Sequence, residues 1–420
     1  MNINSLSSSP SPSTPAQKLH RLSVTVTAAG FLLFAAAIGM LTVTKNHTAL
    51  FALTQTSEAE PNTEENAVDL RSRLTNAFDE NIVGFDRFLS VYGITQRILG
   101  TSVYDDAGYT YLIRDNNGFL HYHTTRADAA PYAAAVAELR NTLAENGIPF
   151  LYLQAPTKEI DGYTKYPLGI QYQSTENAQE MLRALSAQGV ETLSFAECFS
   201  DAGIDAQTLF YRTDHHWTTQ TAFSAFTMTV PYLNDTYGWQ LDTTVCEESN
   251  WKSLFQPHTF LGSIGRRVGA ELAGLDDYTF LEPAFETAYQ VYYPPQSTEV
   301  PYWTGSFHDT MVRDSLLFSD DVAANRYASY FQYDYGELII ENLACDNDLH
   351  IAIIKDSFAL PFTAFLSTAV AHIDMIDLRE FEGSVTDYLL ETSPDLVLML
   401  YGNGSFSPVM YQFHGKPDAK

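Results

Sequence analysis

A chain of 420 residues suffices for one large domain or two ordinary ones, and 45% hydrophobic with 18% charged content is that of a globular protein with a sizeable core. Asp and Glu outnumber Lys and Arg 51 to 23, and the resulting formal charge of -28 repels phosphate backbones, which argues against nucleic acid as a partner. The three cysteines, Cys198, Cys246 and Cys345, form no CxxC or Cys/His cluster, so neither a zinc site nor a dithiol redox centre is suggested.

Residues 1–21 include SSSPSPSTP (Ser7–Pro15), too polar and proline-rich to fold, and read as a disordered cytoplasmic tail. Residues 22–43 carry no charge and cover about one bilayer width. Lys18 and Arg21 precede this run, and the acidic Glu58, Glu60, Glu64 and Glu65 follow it. The positive-inside rule then gives a single-pass anchor in the cell membrane, with the chain beyond it extracytoplasmic. A cleaved signal peptide is the competing expectation, since Ala35–Ala37 is a small-residue run, but the apolar stretch is long for one and no tidy cleavage site follows. Residues 44–68 are polar and acidic, as a linker is, and residues 69–420 are left for the extracytoplasmic domain.

Within that domain, Tyr104–His123 reads as short strands around the Asn116-Asn117-Gly118 turn. Tyr132, Val136, Leu139 and Leu143 recur with helical spacing, and Gly147 ends the helix. Pro149–Ala155 is a buried-strand candidate. Thr175 is placed to cap a helix carrying Met181, Leu182 and Leu185, and Val190–Phe195 is the next strand. Thr218–Val230 is helical, with Phe223 and Phe226 inward. Tyr232–Glu341 lacks clear periodicity and reads as a long insertion of loops and short strands. Regular alternation then resumes: strand Leu349–Ile354, helix Phe358–Val370, strand Ala371–Ile376, helix Ser384–Glu391 and strand Asp395–Tyr401. This rhythm predicts an α/β domain built as a doubly wound parallel sheet with a long irregular insertion.

Two stretches carry chemistry, RTDHHWTTQTAF (Arg212–Phe223) and IAIIKDSF (Ile351–Phe358). Ser357 follows an apolar strand and opens a helix, at the sheet edge where open α/β sheets place ligands; a serine there is equally a preferred helix N-cap. A serine hydroxyl becomes a nucleophile only when an imidazole takes its proton, and that imidazole needs a carboxylate to orient it. Asp214 and His216, one residue apart, face the same way if the segment is extended, and His215 then faces away or serves as a supporting donor. The DHH string could instead ligate manganese, as in phosphoesterases with such a motif, or be ordinary hydrogen-bonded loop residues. Asn403, in a Gly-Asn-Gly turn after the last strand, is a candidate oxyanion donor or a plain turn residue. Lys158, at a strand end, is a candidate substrate contact or an exposed lysine. Trp217 is a sugar platform, a wedge for the histidine, or core.

TDHHWT followed by FLGSIGRRVG, IIKDSF and IDLR, in that order, resembles the DHHW family of bacterial proteins and the SGNH hydrolase-like proteins of alginate O-acetylation. The likeness runs from about Asp79 to Tyr401. It implies an SGNH-like fold with Asp214 and His216 as triad acid and base and Ser357 as nucleophile. The order Asp, His, Ser departs from ordinary SGNH hydrolases, and KDSF replaces the Gly/Ser-rich segment of the relatives. The implied activity is that of a serine esterase or O-acyltransferase, acetyl for preference, acting on a cell-surface polysaccharide, without cofactor or metal and served by a membrane-bound acyl-transfer partner. A non-catalytic glycan-binding or assembly subunit of the same fold is the alternative, and a metal-dependent phosphoesterase the third expectation.

Overall fold

The computed structural model describes residues 15–45, 82–106, 108, 110–293, 302–402 and 406–415. The chain divides into two compact units, residues 1–91 and 92–420. The first contains helix α1 (Pro15–Lys45), so a helix begins inside the stretch expected to be a disordered tail. Its segment Ser23–Lys45 is long and apolar enough to cross a bilayer, as an anchor or a signal sequence would be. The expected linker lies outside the described residues, apart from its start at the end of α1. Helix α2 (Phe85–Leu99) runs across the boundary between the units.

The second unit is organised by an eight-stranded sheet in the order β5-β4-β13-β11-β12-β10-β8-β9. Its core is parallel: β4 (Phe150–Gln154), β5 (Thr192–Ser194), β11 (His350–Lys355), β12 (His372–Ile376) and β13 (Leu396–Tyr401). These strands are apolar runs because both faces are covered. Ile351, Ile353, Leu398 and Leu400 pack on one face with helices α5 (Phe195–Asp201), α6 (Thr219–Tyr237) and α7 (Ala359–Leu366). Ala352, Ile354, Val397 and Met399 pack on the other with α3 (Ala130–Glu145), α4 (Ser174–Ala187) and α8 (Val385–Thr392).

The sheet is mixed rather than wholly parallel. The stretch expected to be irregular supplies three antiparallel strands, β8 (Tyr289–Tyr292), β9 (Tyr302–Gly305) and β10 (Glu337–Asn342), which extend the sheet beyond β12. It also forms a two-stranded ribbon of β6 (Trp251–Phe260) and β7 (Asp276–Pro283). A separate three-stranded sheet, β1 (Val103–Asp106), β2 (Thr110–Arg114) and β3 (Leu120–Tyr122), contains the expected turn between β2 and β3. Thr175 does not cap α4. The cap position is Gln173, and the Thr175 hydroxyl instead bonds the Glu159 carbonyl and Thr157. Thr218 does cap α6, accepting from the Thr221 N–H.

Candidate active site

β11 ends at Lys355, whose buried ammonium pairs with Asp334 and, at 3.0 Å, with Asp377. The next residue, Asp356, accepts the Phe358 N–H at 2.9 Å and the Gly402 N–H at 2.7 Å, tying the end of β11 to the end of β13. Ser357 therefore sits on a clamped turn between β11 and α7, just before the helix. Burial pushes the Asp356 carboxyl up to about 6, against the opposing effect of those two N–H groups. A carboxyl whose folded value is raised binds a proton more readily folded than unfolded. Wild type should consequently lose stability relative to Asp356→Asn as pH rises from about 4 to about 6, by on the order of 2 kcal/mol. Urea unfolding of both proteins at each pH checks this.

The second motif lies at the tip of a loop pinned by the Phe210–Trp217 bridge. Its backbone is bent, not extended. Asp214 Oδ1 accepts the His216 N–H at 2.9 Å, an Asx turn that folds the two side chains together, and the same oxygen lies 2.6 Å from His216 Nδ1. Asp214 Oδ2 accepts the Ser263 N–H at 2.6 Å. The other imidazole nitrogen, His216 Nε2, lies 2.6 Å from Ser357 Oγ. The three residues expected to meet thus form one hydrogen-bonded chain, Asp214–His216–Ser357. Burial alone would raise the Asp214 carboxyl, but the His216 and His215 rings and the Ser263 N–H outweigh it and hold it well below the usual range.

His215 does not face away. Its Nδ1 lies 2.8 Å from Ser263 Oγ, and its ring centroid is 3.7 Å from that of His216. Burial and the facing His216 push its imidazole down to about 3, so it is neutral at physiological pH. Trp217 is no sugar platform. It is fully buried, and its Nε1–H donates to the Phe358 carbonyl at 3.0 Å and the Tyr327 hydroxyl at 3.1 Å. The residue after the histidine is thereby fastened to the residue after the serine. Tyr327 also stacks flat on the His216 ring, centroids 3.9 Å apart.

Lys158 is neither exposed nor free to hold a substrate. Its ammonium donates to the carbonyls of Leu120, Arg212 and Asp214 at 2.7, 3.1 and 2.6 Å, so it ties the DHHW loop to β3. Burial lowers it to about 8, partly offset by Asp276 and Asp214. Asn403 lies outside the described residues.

Several supports have no counterpart in the sequence reading. Asp276 accepts the N–H groups of Arg212 and Thr213, each at 2.8 Å, and the Thr213 hydroxyl at 2.6 Å. Gly262 donates to the same hydroxyl at 2.8 Å. The signal for the Gly262–Ser263 seat was present in FLGSIGRRVG, where Gly262 and Gly265, the first two of its three glycines, mark a close approach to Asp214 and Thr213. A cavity of about 370 Å³ opens beside Ser357, with His121, His123, Tyr172, His215, Arg379 and Tyr411 among its walls. That size and mixed polar and aromatic lining suit a small ligand or a sugar unit. The ligand atoms of Asp214, His215 and His216 also lie within 4.8 Å of one another. Both nitrogens of His216 are engaged, however, by Asp214 and Ser357.

Residues 115–243 match the family model described as an SGNH hydrolase-like domain, acetyltransferase AlgX. That span holds Asp214 and His216 but ends before Ser357. No curated protein matches the sequence. Among solved structures, PatB1 of Bacillus cereus is similar at 21% identity and a TM-score of 0.59, covering 72% of this chain and 99% of that one. A second structure of PatB1, with a sulfonyl adduct, gives 20% identity and the same TM-score, covering 72% and 97%. A DHHW family protein from Eubacterium siraeum is similar at 16% identity and a TM-score of 0.55, covering 74% and 97%. The resemblance read from the four motifs therefore holds: the α/β domain has the SGNH-like fold, with likeness to the SGNH hydrolase-like acetyltransferase AlgX over residues 115–243 and to a DHHW family protein in fold.

Proposed function

We propose that this chain is a membrane-anchored, extracytoplasmic serine O-acyltransferase or esterase that handles acetyl groups of a cell-surface polysaccharide. The observation that carries this is the Asp214–His216–Ser357 chain, with both links at 2.6 Å, opening onto the cavity beside Ser357. His216 Nε2 takes the Ser357 proton as Oγ attacks the acetyl carbonyl. The Ser357 N–H, at the turn before α7, is the candidate oxyanion donor. Collapse of the tetrahedral intermediate leaves acetyl-Ser357 and passes the proton from His216 to the departing alkoxide. A sugar hydroxyl or water then gives its proton to His216 and attacks the acetyl-serine, which restores the enzyme. Asp214 holds the imidazole with its Nδ1–H inward and stabilises the imidazolium. Ser23–Lys45 serves as the anchor, with Lys18 and Arg21 on the cytoplasmic side, and a membrane-bound acyl-transfer partner supplies the acetyl group.

A non-catalytic glycan-binding subunit is the alternative. Full-length protein in detergent, given a chromogenic acetyl ester and neutral or acidic oligosaccharides, separates the two. Ester cleavage with acetylated oligosaccharide, or free acetate, supports the enzyme. Oligosaccharide binding without turnover, unchanged in Ser357→Ala, supports the binding module.

A further inference from the structure

Far from Ser357, at the opposite end of β11, a second set of imidazoles and carboxylates converges. His350 opens β11 and His372 opens β12, and the two stand directly opposite in the parallel register. Asp374 lies two residues beyond His372, so the pleat puts it on the same face. His350 Nε2 lies 2.9 Å from one Asp374 oxygen and His372 Nε2 lies 2.8 Å from the other. We propose that this cluster binds a divalent transition-metal ion, zinc most readily, through Nε2 of His350, Nε2 of His372 and the Asp374 carboxylate.

The three candidate ligand atoms lie within 4.8 Å of one another, and tetrahedral ligands of one zinc ion stand roughly 3.3–3.6 Å apart, so the two nitrogens at 2.9 and 2.8 Å from the Asp374 carboxylate need to swing only slightly outward to admit it. Two imidazoles and one carboxylate form a donor set that suits zinc and leaves a position for water; it is poor for the oxygen-seeking calcium and magnesium. A second feature points the same way. Glu341, on the neighbouring strand β10, lies 2.8 Å from Nδ1 of His372. A carboxylate on the far nitrogen fixes the tautomer with Nδ1–H toward Glu341 and the Nε2 lone pair toward the ion, the usual outer partner of a metal-bound histidine. Asp374 is almost fully buried, while the two rings keep partial exposure and so an entry path. The Tyr388 side chain, from α8, also lies near Asp374, between it and Glu337 of β10.

From His350 to Lys355 the strand rises about 16 Å, which separates the ion from the serine chemistry. Its role is then structural, fastening β11, β12 and, through Glu341, β10 at their shared end. The proposal is independent of the acyl-transfer assignment. Its test uses full-length protein in detergent, stripped with a chelator and titrated with zinc against a chromophoric competitor. The expected result is one tight equivalent, a raised Tm on loading, and X-ray absorption showing two imidazole ligands with oxygen donors. His350→Gln and His372→Gln, both at partly exposed rings, should each weaken binding about 30-fold or more and abolish the Tm rise. Should either variant fail to fold, the absorption spectrum of loaded wild type decides. Unchanged affinity in both variants, no saturable binding, or a spectrum with other ligands would overturn the proposal and leave His350, Asp374 and His372 as an ion network.

Discussion

Ser357→Ala is expected to lower turnover of a chromogenic acetyl ester by about a thousandfold or more, with little change in KM. The substitution removes the only atom of the turn that lies 2.6 Å from His216 Nε2, while the clamp of Asp356 on Gly402 and Phe358 stays in place. Stability should fall by no more than about 1 kcal/mol, the worth of one partly exposed hydrogen bond. His216→Ala should cost a similar factor, and the double variant little more than either alone, because groups acting as one relay do not add. Steady-state kinetics on the three proteins, with urea unfolding as control, provides the comparison. Retention of a tenth or more of wild-type turnover in Ser357→Ala would remove that hydroxyl from the chemistry.

The second large effect comes from a residue that touches no substrate. A Cβ added at Gly262 would lie 2.3 Å from Asp214 Cβ, 2.5 Å from its Cα and 2.6 Å from its N. Backbone atoms cannot step aside by changing rotamer, so either the DHHW loop or the Gly262–Ser263 segment must move by on the order of an ångström. The shift breaks the Ser263 N–H bond to Asp214 and the Gly262 N–H bond to Thr213. Gly262→Ala should therefore reduce kcat about 100-fold and cost roughly 1–3 kcal/mol of stability. Ser263→Ala keeps the backbone N–H and loses only the contact with His215, so it should be far milder. Equal damage from both would mean that the side chain at Ser263, rather than the backbone seat, supports Asp214.

The parallel core was legible because strands buried on both faces become unbroken apolar runs. Ile351–Ile354 and Leu396–Leu400 announce themselves that way. The antiparallel edge was hidden. β8 and β9 run only four residues each, none of the three edge strands is covered on both faces, and the pairing of β10 depends on residues far away in sequence. At the site, the residue types and their order could be read, but the local geometry could not. Alternation along an extended chain put Asp214 and His216 on one side and His215 on the other, whereas the Asx turn bends the backbone and gathers both histidines beside Ser263. Lys158 was misjudged by the rule that lysines are exposed, which fails where three backbone carbonyls need a donor. Trp217 offered no local hint that its indole would join the two motifs.

The assignment depends on Ser357 carrying the acyl group. Full-length protein mixed with a chromogenic acetyl ester, quenched in acid within the first turnovers and mapped by peptide mass spectrometry, tests this directly. An acetyl group is expected on the Ser357 hydroxyl, in the peptide containing Lys355-Asp356-Ser357-Phe358, and should be lost in Ser357→Ala. Acetyl found on a different side chain, or product formed at full rate by Ser357→Ala, would contradict it.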